Sequence, residues 1–504
     1  MTVTTLADLL SVGESSANAI VVPQGGPSLT YLQVSEEVER VAGLFTAHGL
    51  ERGRAVSIVL PNGLEFMTLF LAVTRAGAIA APLNSAYSLD EFMFFMEDAS
   101  SQLAILPPGP HAGRDAAERL GIPTLDASLD GPVLRLRSGK GELMATRAPE
   151  APRGEDVALF LHTSGTTSRP KGVPLTHSNL VASLRNISGT YGLSPEDIAM
   201  VVMPLFHVHG LLGVALSTFF TGGSIVVPDR FSASAFWPVQ EQTAATWYSA
   251  VPTIHQVLLM RADRENAPHK SFRFIRSCSS ALAPSVFEQL ESRFGAPVLE
   301  AYGMTEASHQ MASSPLPPGE RFPGTVGMPT GVEVAIMNMD AKGNLLAPDE
   351  PGEVVIKGPN VMHGYNNNPA ANSEAFVNGW FRTGDQGILN ARGYLTLTGR
   401  IKELINRGGE KISPLEVDAV LLKHPSVAEA VSFGVPDELY GEIVQAAVVL
   451  NGEADSDAIR SHCREHLAEF KVPAVVYITD SLPRTATGKI QRRHVASAFA
   501  GSGK

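Results

Sequence analysis

Cysteine is nearly absent: the 504 residues hold only Cys278 and Cys463. Neither lies in a CxxC or Cys/His ligand spacing, which excludes a disulfide scaffold and a structural zinc site and leads us to expect a reducing, cytoplasmic setting. Basic charge is short as well, with 39 Lys and Arg against 51 Asp and Glu and a formal net charge of −12. Such a chain repels polyphosphate at long range, so nucleic acid is not an expected partner. The opening residues 1–8 carry no basic stretch ahead of an apolar one, so no signal peptide is expected. Ser502-Gly503-Lys504 does not spell a peroxisomal address. One uncharged stretch, residues 208–227, is long enough to cross a bilayer. It is broken by His209, Gly210 and Thr221-Gly222-Gly223, and reads as helix, turn and buried strand rather than a membrane span.

What is present describes a folded α/β protein. Hydrophobic residues at 44% and charged ones at 18% exclude long disorder. At ~150 residues per domain, the length predicts two to four domains. Val38, Val41, Leu44 and Phe45 recur at helical spacing; residues 55–60 read as a buried strand, 65–75 as an apolar helix and 78–83 as the next strand. Strand, crossover helix and strand predict βαβ units in a largely parallel sheet. Residues 107–155, rich in Gly, Pro, Arg and Asp, are expected to form surface loops. A boundary falls near residue 400. There the apolar alternation of 393–398 ends, and Ser413, Pro414 and Glu416 predict a capping box opening a helix over 415–423. The last hundred or so residues are expected to fold as a small α+β unit.

A Ser/Thr-rich loop, Thr163-Ser164-Gly165-Thr166-Thr167-Ser168-Arg169-Pro170-Lys171-Gly172, follows the apolar run 157–161. Its amides and hydroxyls suit phosphate oxygens, although Pro170 before Lys171 rules out a Walker loop and, taken alone, the segment fits an ordinary turn equally well. The segments that follow it are Met203-Pro204-Leu205-Phe206-His207, Ala301-Tyr302-Gly303-Met304-Thr305-Glu306, Trp380-Phe381-Arg382-Thr383-Gly384-Asp385, Gly399-Arg400-Ile401-Lys402-Glu403 and Arg484-Thr485-Ala486-Thr487-Gly488-Lys489. In this order they resemble the core motifs of the adenylate-forming superfamily, which includes acyl-CoA synthetases, peptide-synthetase adenylation domains and firefly luciferase. The likeness covers about residues 5–495. The stretches 204–211, 245–256, 276–284 and 405–420 are similar to those of oxalyl-CoA synthetases.

The resemblance implies a large N-terminal adenylate-forming domain (1–399), a hinge (400–402) and a small mobile α+β lid (403–504). It also implies two half-reactions: a carboxylate attacks the α-phosphorus of ATP, and the thiol of coenzyme A then displaces AMP. Both place negative charge on oxygen, so fixed cations and donors would carry the catalysis. Thr163, Ser164, Gly165, Thr166, Thr167 and Lys171 would cradle phosphate. Glu300, Ala301 and Gly303 would join the nucleotide site, with Tyr302 stacked on adenine and Ser279, Ser280 and Ala281 offering backbone polar groups to its edge. Thr305 would donate to phosphate, Glu306 would hold Mg²⁺, and Asp385 with Arg400 would hold the ribose end. Lys489 would swing in over the α-phosphate, and Lys402 would be the hinge residue. Gly408, Gly409 and Glu410 would approach the pantetheine channel, with Arg407, Lys411, Arg492 and Arg493 as phosphate contacts. Gly408-Gly409 alone reads equally as a hairpin turn, and the basic residues equally as a solvated face.

The resemblance also implies His207 as a gate beside the carboxylate. Ser280, His255, His309 and Trp247 are candidate walls of the acid pocket, with Arg276 further back. These polar groups favour oxalate or another short dicarboxylate, because a second buried carboxylate needs a partner. Two departures stand out: Ser168 in the phosphate loop and Ser277-Cys278-Ser279-Ser280 near adenine, both where glycine is common among relatives. Cys278, with no adjacent base, reads as structural. The alternatives are a medium- or long-chain fatty acyl-CoA synthetase, a carrier-loading acyl-AMP ligase, a luciferase-like oxygenase and a non-catalytic nucleotide-binding protein. Only fifteen residues follow Lys489, which argues against an attached carrier; the presence of Glu306 and Lys489 argues against a mere binder.

Overall fold

Two sheets of mainly parallel strands carry the large N-terminal domain of this mixed α/β chain. In the computed structural model, residues 2–163, 170–270, 272–340, 342–485 and 490–499 are described. Among these, an eight-stranded sheet is built around Ala55–Ile58, which pairs in parallel with Ile79–Pro82 and Ser101–Leu106. The crossover helix between the first two, Leu64–Arg75, is apolar on nearly every face because it is buried on nearly every face. The βαβ expectation for residues 55–83 holds, with strand ends trimmed by one or two positions. The helix Tyr31–Ala47, capped by Thr30 and Gln33, packs its Val38, Val41, Leu44 and Phe45 into the same core.

A nine-stranded sheet places Ile198–Met200, Trp247–Ala250, Phe274–Ser277 and Val298–Met304 side by side and parallel. The helices Ala233–Thr243, Pro252–Arg261 and Pro284–Phe294 connect them. In such sheets ligand sites form beyond the carboxyl ends of the strands. Residues 278–281 and 305–309 lie there. A third sheet pairs Trp380–Leu389 with Pro351–Lys357 and Leu395–Arg400.

Residues 405–478 form a fourth sheet, in which Val427–Asp437 and Gly441–Leu450 are a long antiparallel pair flanked by Val475–Ile478. It packs against Pro414–Leu421 and Ser456–His466 over its own core of Val417, Leu421, Val444, Ile459 and Cys463. This is the small C-terminal domain.

Three expectations need correction. Residues 107–155 are not all loop: a helix spans Ala112–Leu120 and a β-hairpin joins Thr124–Asp130 to Val133–Ser138. The polar residues that suggested loops pair with one another, Arg114 with Asp126 and Arg135 with Asp130 and Glu142, while Leu134 and Leu136 point inward. The strand expected over 393–398 runs instead from Leu395 to Arg400, which brings Arg400 opposite Asp385. The capping box at 413–416 is half made. Ser413 Oγ accepts from the Glu416 amide at 3.3 Å, but the Glu416 carboxylate is taken by Lys471 at 2.7 and 2.8 Å.

The uncharged run 208–227 folds as expected into short helical turns, Val208–Gly210, Leu211–Leu216 and Ser217–Phe219, then the strand Ser224–Val226. The middle turn is π-helical, a geometry that concentrates at functional sites. No helix among the described residues is long and apolar enough to cross a membrane.

Phe70 is fully buried in the central helix, and Leu32 is half exposed at the start of its neighbour. Phe70→Ala is expected to cost about 3–5 kcal/mol and Leu32→Ala about 0.5 kcal/mol or less. Urea denaturation of the large domain, followed by tryptophan fluorescence, checks this order.

Candidate active site

The strand Val298–Met304 delivers the first group of side chains. Glu300 is buried; its carboxyl accepts from the Gly324 amide at 3.0 Å, and burial pushes its pKa up to about 8. Two residues on, the buried Tyr302 donates its hydroxyl to Asp385 Oδ2 at 2.5 Å. Asp385 Oδ1 pairs with Arg400 Nε at 2.7 Å, and the Asp385 amide donates to Thr383 Oγ1. Tyr302, Asp385 and Arg400, separated by up to 98 positions in the chain, thus form one contact group.

Beyond the strand, Thr305 and Glu306 occupy a short 3-10 turn, both buried. Burial raises the Glu306 pKa, and Arg400 and Lys171 oppose the rise. Tyr365 donates to Glu306 Oε1 at 2.9 Å, and Lys171 Nζ lies 4.1 Å from the centre of the same tyrosine ring. Tyr365 had no motif to mark it, yet it joins the acid after one sheet to the cation after another. Lys171 itself lies opposite Thr163 in the antiparallel pair Val157–Thr163 and Lys171–Thr176.

No cluster of three or more His, Cys, Asp or Glu side chains suited to a metal exists among the described residues. The buried Glu306 carboxylate, with no side-chain hydrogen bond to its second oxygen among the described residues, nevertheless fits magnesium, which takes one or two carboxylates and fills its shell from phosphate and water.

The second group surrounds a guanidinium. Arg276, 0% exposed, donates Nε to Tyr191 OH at 2.7 Å, Nη1 to Ser249 Oγ at 2.9 Å, and Nη2 to His309 Nε2 at 2.9 Å and Gln310 Oε1 at 3.0 Å. All of these acceptors are uncharged, and no carboxylate among the described residues pairs with it. His209 bridges Ser249 Oγ at 2.6 Å and Ser279 Oγ at 3.0 Å, and its ring stacks on His309 with centroids 5.5 Å apart. Burial and the nearby guanidinium hold both imidazoles well below their ordinary pKa, hence neutral. Gly213 in the π-helical turn permits this approach: a Cβ there would lie 2.4 Å from His309 Nε2. Ser279 and His309 both adopt left-handed backbone angles, at φ +72° and +98°, a strain that gathers at functional sites.

His207, half buried, caps the turn below, its Nδ1 accepting from the His209 amide at 3.2 Å. Ser280 and Ala281 are exposed at the rim.

Two expected pocket residues are not brought to this group. Trp247 shares the strand face of Ser249 but lies in the core, stacked on Phe274 at 5.0 Å. His255 bonds Tyr248 OH at 3.1 Å, on the opposite face of the same strand. Successive strand residues point to opposite faces, so His255 meets Tyr248 rather than the Arg276 guanidinium, although it stays close to the Arg276 backbone and helps lower the His209 pKa. His209, Ser249 and Tyr191, by contrast, went unselected, because single residues scattered over the chain leave no pattern.

In the small domain, Gly408 and Gly409, at φ +61° and +96°, make the turn of a hairpin between Ile405–Arg407 and Glu410–Ile412. Glu410, Lys411, Arg493 and Lys402 are exposed. Arg407 donates to Phe470 O at 2.6 Å and lies over the Tyr440 ring. Arg492 is not a free phosphate contact: it is largely buried and paired with Glu403 and with Asp418 at 2.9 Å. Ser164, Gly165, Thr166, Thr167, Ser168 and Lys489 lie outside the described residues.

The chain matches the AMP-binding enzyme family over residues 12–366 and the AMP-binding enzyme C-terminal domain over 416–489. It is 50% identical to an oxalate–CoA ligase of Arabidopsis thaliana, covering 94% of each chain. It is 47% identical to an oxalate–CoA ligase of Saccharomyces cerevisiae, over 99% of this chain and 97% of that one. The crystal structure of ATP-bound MatB from Rhodopseudomonas palustris superposes with a TM-score of 0.89 at 29% identity, covering both chains completely.

Glu300 offers a test that needs no ligand. Its folded pKa of about 8 stands above the ordinary 4.5, so the native state binds this proton more tightly and loses stability as pH rises from about 4.5 towards 8. Glu300→Gln keeps the shape without the titration. Its Tm relative to the parent is expected to improve by several degrees between about pH 5 and pH 8, and parallel Tm–pH curves would contradict this.

Proposed function

This chain belongs to the AMP-binding enzyme family, and on that premise we propose that it is an ATP-dependent acid–CoA ligase whose acid is oxalate or another short dicarboxylate. The observation that carries the choice of acid is the buried guanidinium of Arg276, which has no carboxylate partner among the described residues. An unpaired buried charge is costly, and a dianionic ligand nearby offsets that cost where a fatty chain does not. The surrounding His209, His309, Ser249 and Ser279 are polar and neutral, suited to a small hydrogen-bonding anion rather than an alkyl tail. The names of the Arabidopsis and yeast relatives agree with this choice.

In the first half-reaction an oxygen of the acid attacks the α-phosphorus and the bond to pyrophosphate breaks. Asp385, held at its carboxylate by Tyr302 and Arg400, keeps lone pairs for the ribose hydroxyls, and the buried Tyr302 ring faces adenine. Thr305 and Lys171 serve the phosphates, together with the loop 163–167. Glu306 would hold magnesium, which supplies positive charge to the triphosphate. Lys489 would neutralise the oxygens at the α-phosphorus, and His207 would guard the approach of the thiol.

In the second half-reaction the CoA sulfur attacks the acyl carbon and AMP leaves. The left-handed Gly408-Gly409 turn lets backbone pass close to a narrow pantetheine channel. Glu410 and Lys411 flank it, whereas Arg407 reaches CoA only by leaving its carbonyl partner.

We place the domain limits at 1–399, 400–402 and 403–504, with Lys402 as hinge. Support comes from the separate core of the small domain and from the short turn Ile401–Glu403, with Lys402 exposed, between the two family matches. A cytoplasmic location is supported by the two free, buried cysteines.

CoA-dependent AMP release measured with oxalate, malonate, acetate and octanoate tests the acid. Oxalate is expected to lead in kcat/KM, and preference for octanoate would defeat the dicarboxylate assignment. Lys489→Ala is expected to abolish pyrophosphate exchange while preformed acyl-AMP still reacts with CoA; equal loss in both assays contradicts its role. Lys402→Pro is expected to slow thioester formation more than adenylation, and an unchanged second half-reaction removes the hinge.

A further inference from the structure

The hydrogen bonds around Arg276 have a direction, because a guanidinium only donates. Ser249 Oγ therefore accepts from Nη1 at 2.9 Å. Its own proton has one other partner among the described residues, His209 Nε2 at 2.6 Å. The reverse arrangement, with His209 donating, would strand a hydroxyl proton in a site closed to water. A neutral His209 that accepts at Nε2 carries its proton on Nδ1, and donates it to Ser279 Oγ at 3.0 Å. Ser279 has then used a lone pair, not its proton, and that proton has no acceptor among the described residues. Its left-handed backbone sets it just beyond the carboxyl end of Phe274–Ser277, beside the exposed Ser280 and Ala281. On the other side, Arg276 Nη2 donates to His309 Nε2, which leaves the His309 proton on Nδ1 as well.

We propose that Arg276, Ser249 and His209 are positioning residues forming a one-way donor chain that turns the Ser279 hydroxyl proton outward, as a hydrogen-bond donor to a carboxylate oxygen of the bound acid. The chain rests on the acid–CoA ligase assignment of this cleft, and adds to it a residue and a proton direction. The buried cation polarises each donor in turn, so Ser279 offers a stronger hydrogen bond than an isolated serine would.

Two measurements test it. In protein labelled with 15N-histidine, the His209 ring signals, identified by their loss in His209→Gln, are expected to show a protonated Nδ1 and a bare Nε2. A protonated Nε2 overturns the chain without any reference to activity. In steady-state assays, Ser279→Ala is expected to raise KM for the acid about tenfold and leave KM for ATP unchanged. Ser249→Ala is expected to do the same, because without its donor His209 can accept from Ser279 and draw the proton inward. The double variant should then be no worse than Ser279→Ala. Multiplying effects, or an unchanged KM for the acid in Ser279→Ala, overturn the proposal. The acid used is whichever the parent enzyme turns over best, so a wrong substrate assignment appears in the parent and a wrong chain appears in the ratio of variant to parent.

Discussion

One carboxylate, that of Asp385, ties the strand carrying Tyr302 to the last strand before the small domain. It accepts from Tyr302 at the end of the nine-stranded sheet and pairs with Arg400, the last residue of the third sheet before the small domain begins. The antiparallel register between Trp380–Leu389 and Leu395–Arg400 places acid and base opposite each other, so the ion pair is set by sheet pairing rather than by side-chain chance. Because the carboxylate is buried, losing either partner leaves a charge under-solvated.

The other half of the cleft works by the opposite rule. Around Arg276 a charge is buried with no ionic partner among the described residues, and tyrosine, serine, glutamine and imidazole satisfy its donors. Neutral acceptors meet the geometric demand and leave the electrostatic one open. The cost in stability belongs to the same arrangement that favours an anion, a trade expected where binding is the purpose.

Residues that repeat a period or sit in a motif were legible from the chain alone. The βαβ order followed from apolar runs punctuated by glycine and proline, and Glu306, Asp385 and Arg400 came from motif segments that the fold brings near one another. What was not legible depended on partners distant in sequence. The charged segment after residue 107 looked like loop until its arginines met their acids across a hairpin. Arg492 and Arg493 are adjacent and alike, yet one is buried between Glu403 and Asp418 and the other faces water. The surroundings of Arg276 come from residues 191, 249, 309 and 310, whose only relation is proximity in space. Motif membership likewise says nothing about which strand face Trp247 occupies, or that His255, on the helix Pro252–Arg261, bonds Tyr248 rather than the guanidinium.

The pairing of Arg492 with Glu403 also bounds where the chain can twist. Arg400 is anchored to the large domain through Asp385, and Glu403 to the small one through Arg492. Any rotation of one body against the other that keeps both anchors must be taken up by the backbone dihedrals of Ile401 and Lys402, a swivel two residues long. Such a swivel would also have to release, among the described residues, the Ser413 hydroxyl from the Thr398 carbonyl and the Gln256 side-chain amide from the Ala428 carbonyl, both neutral contacts.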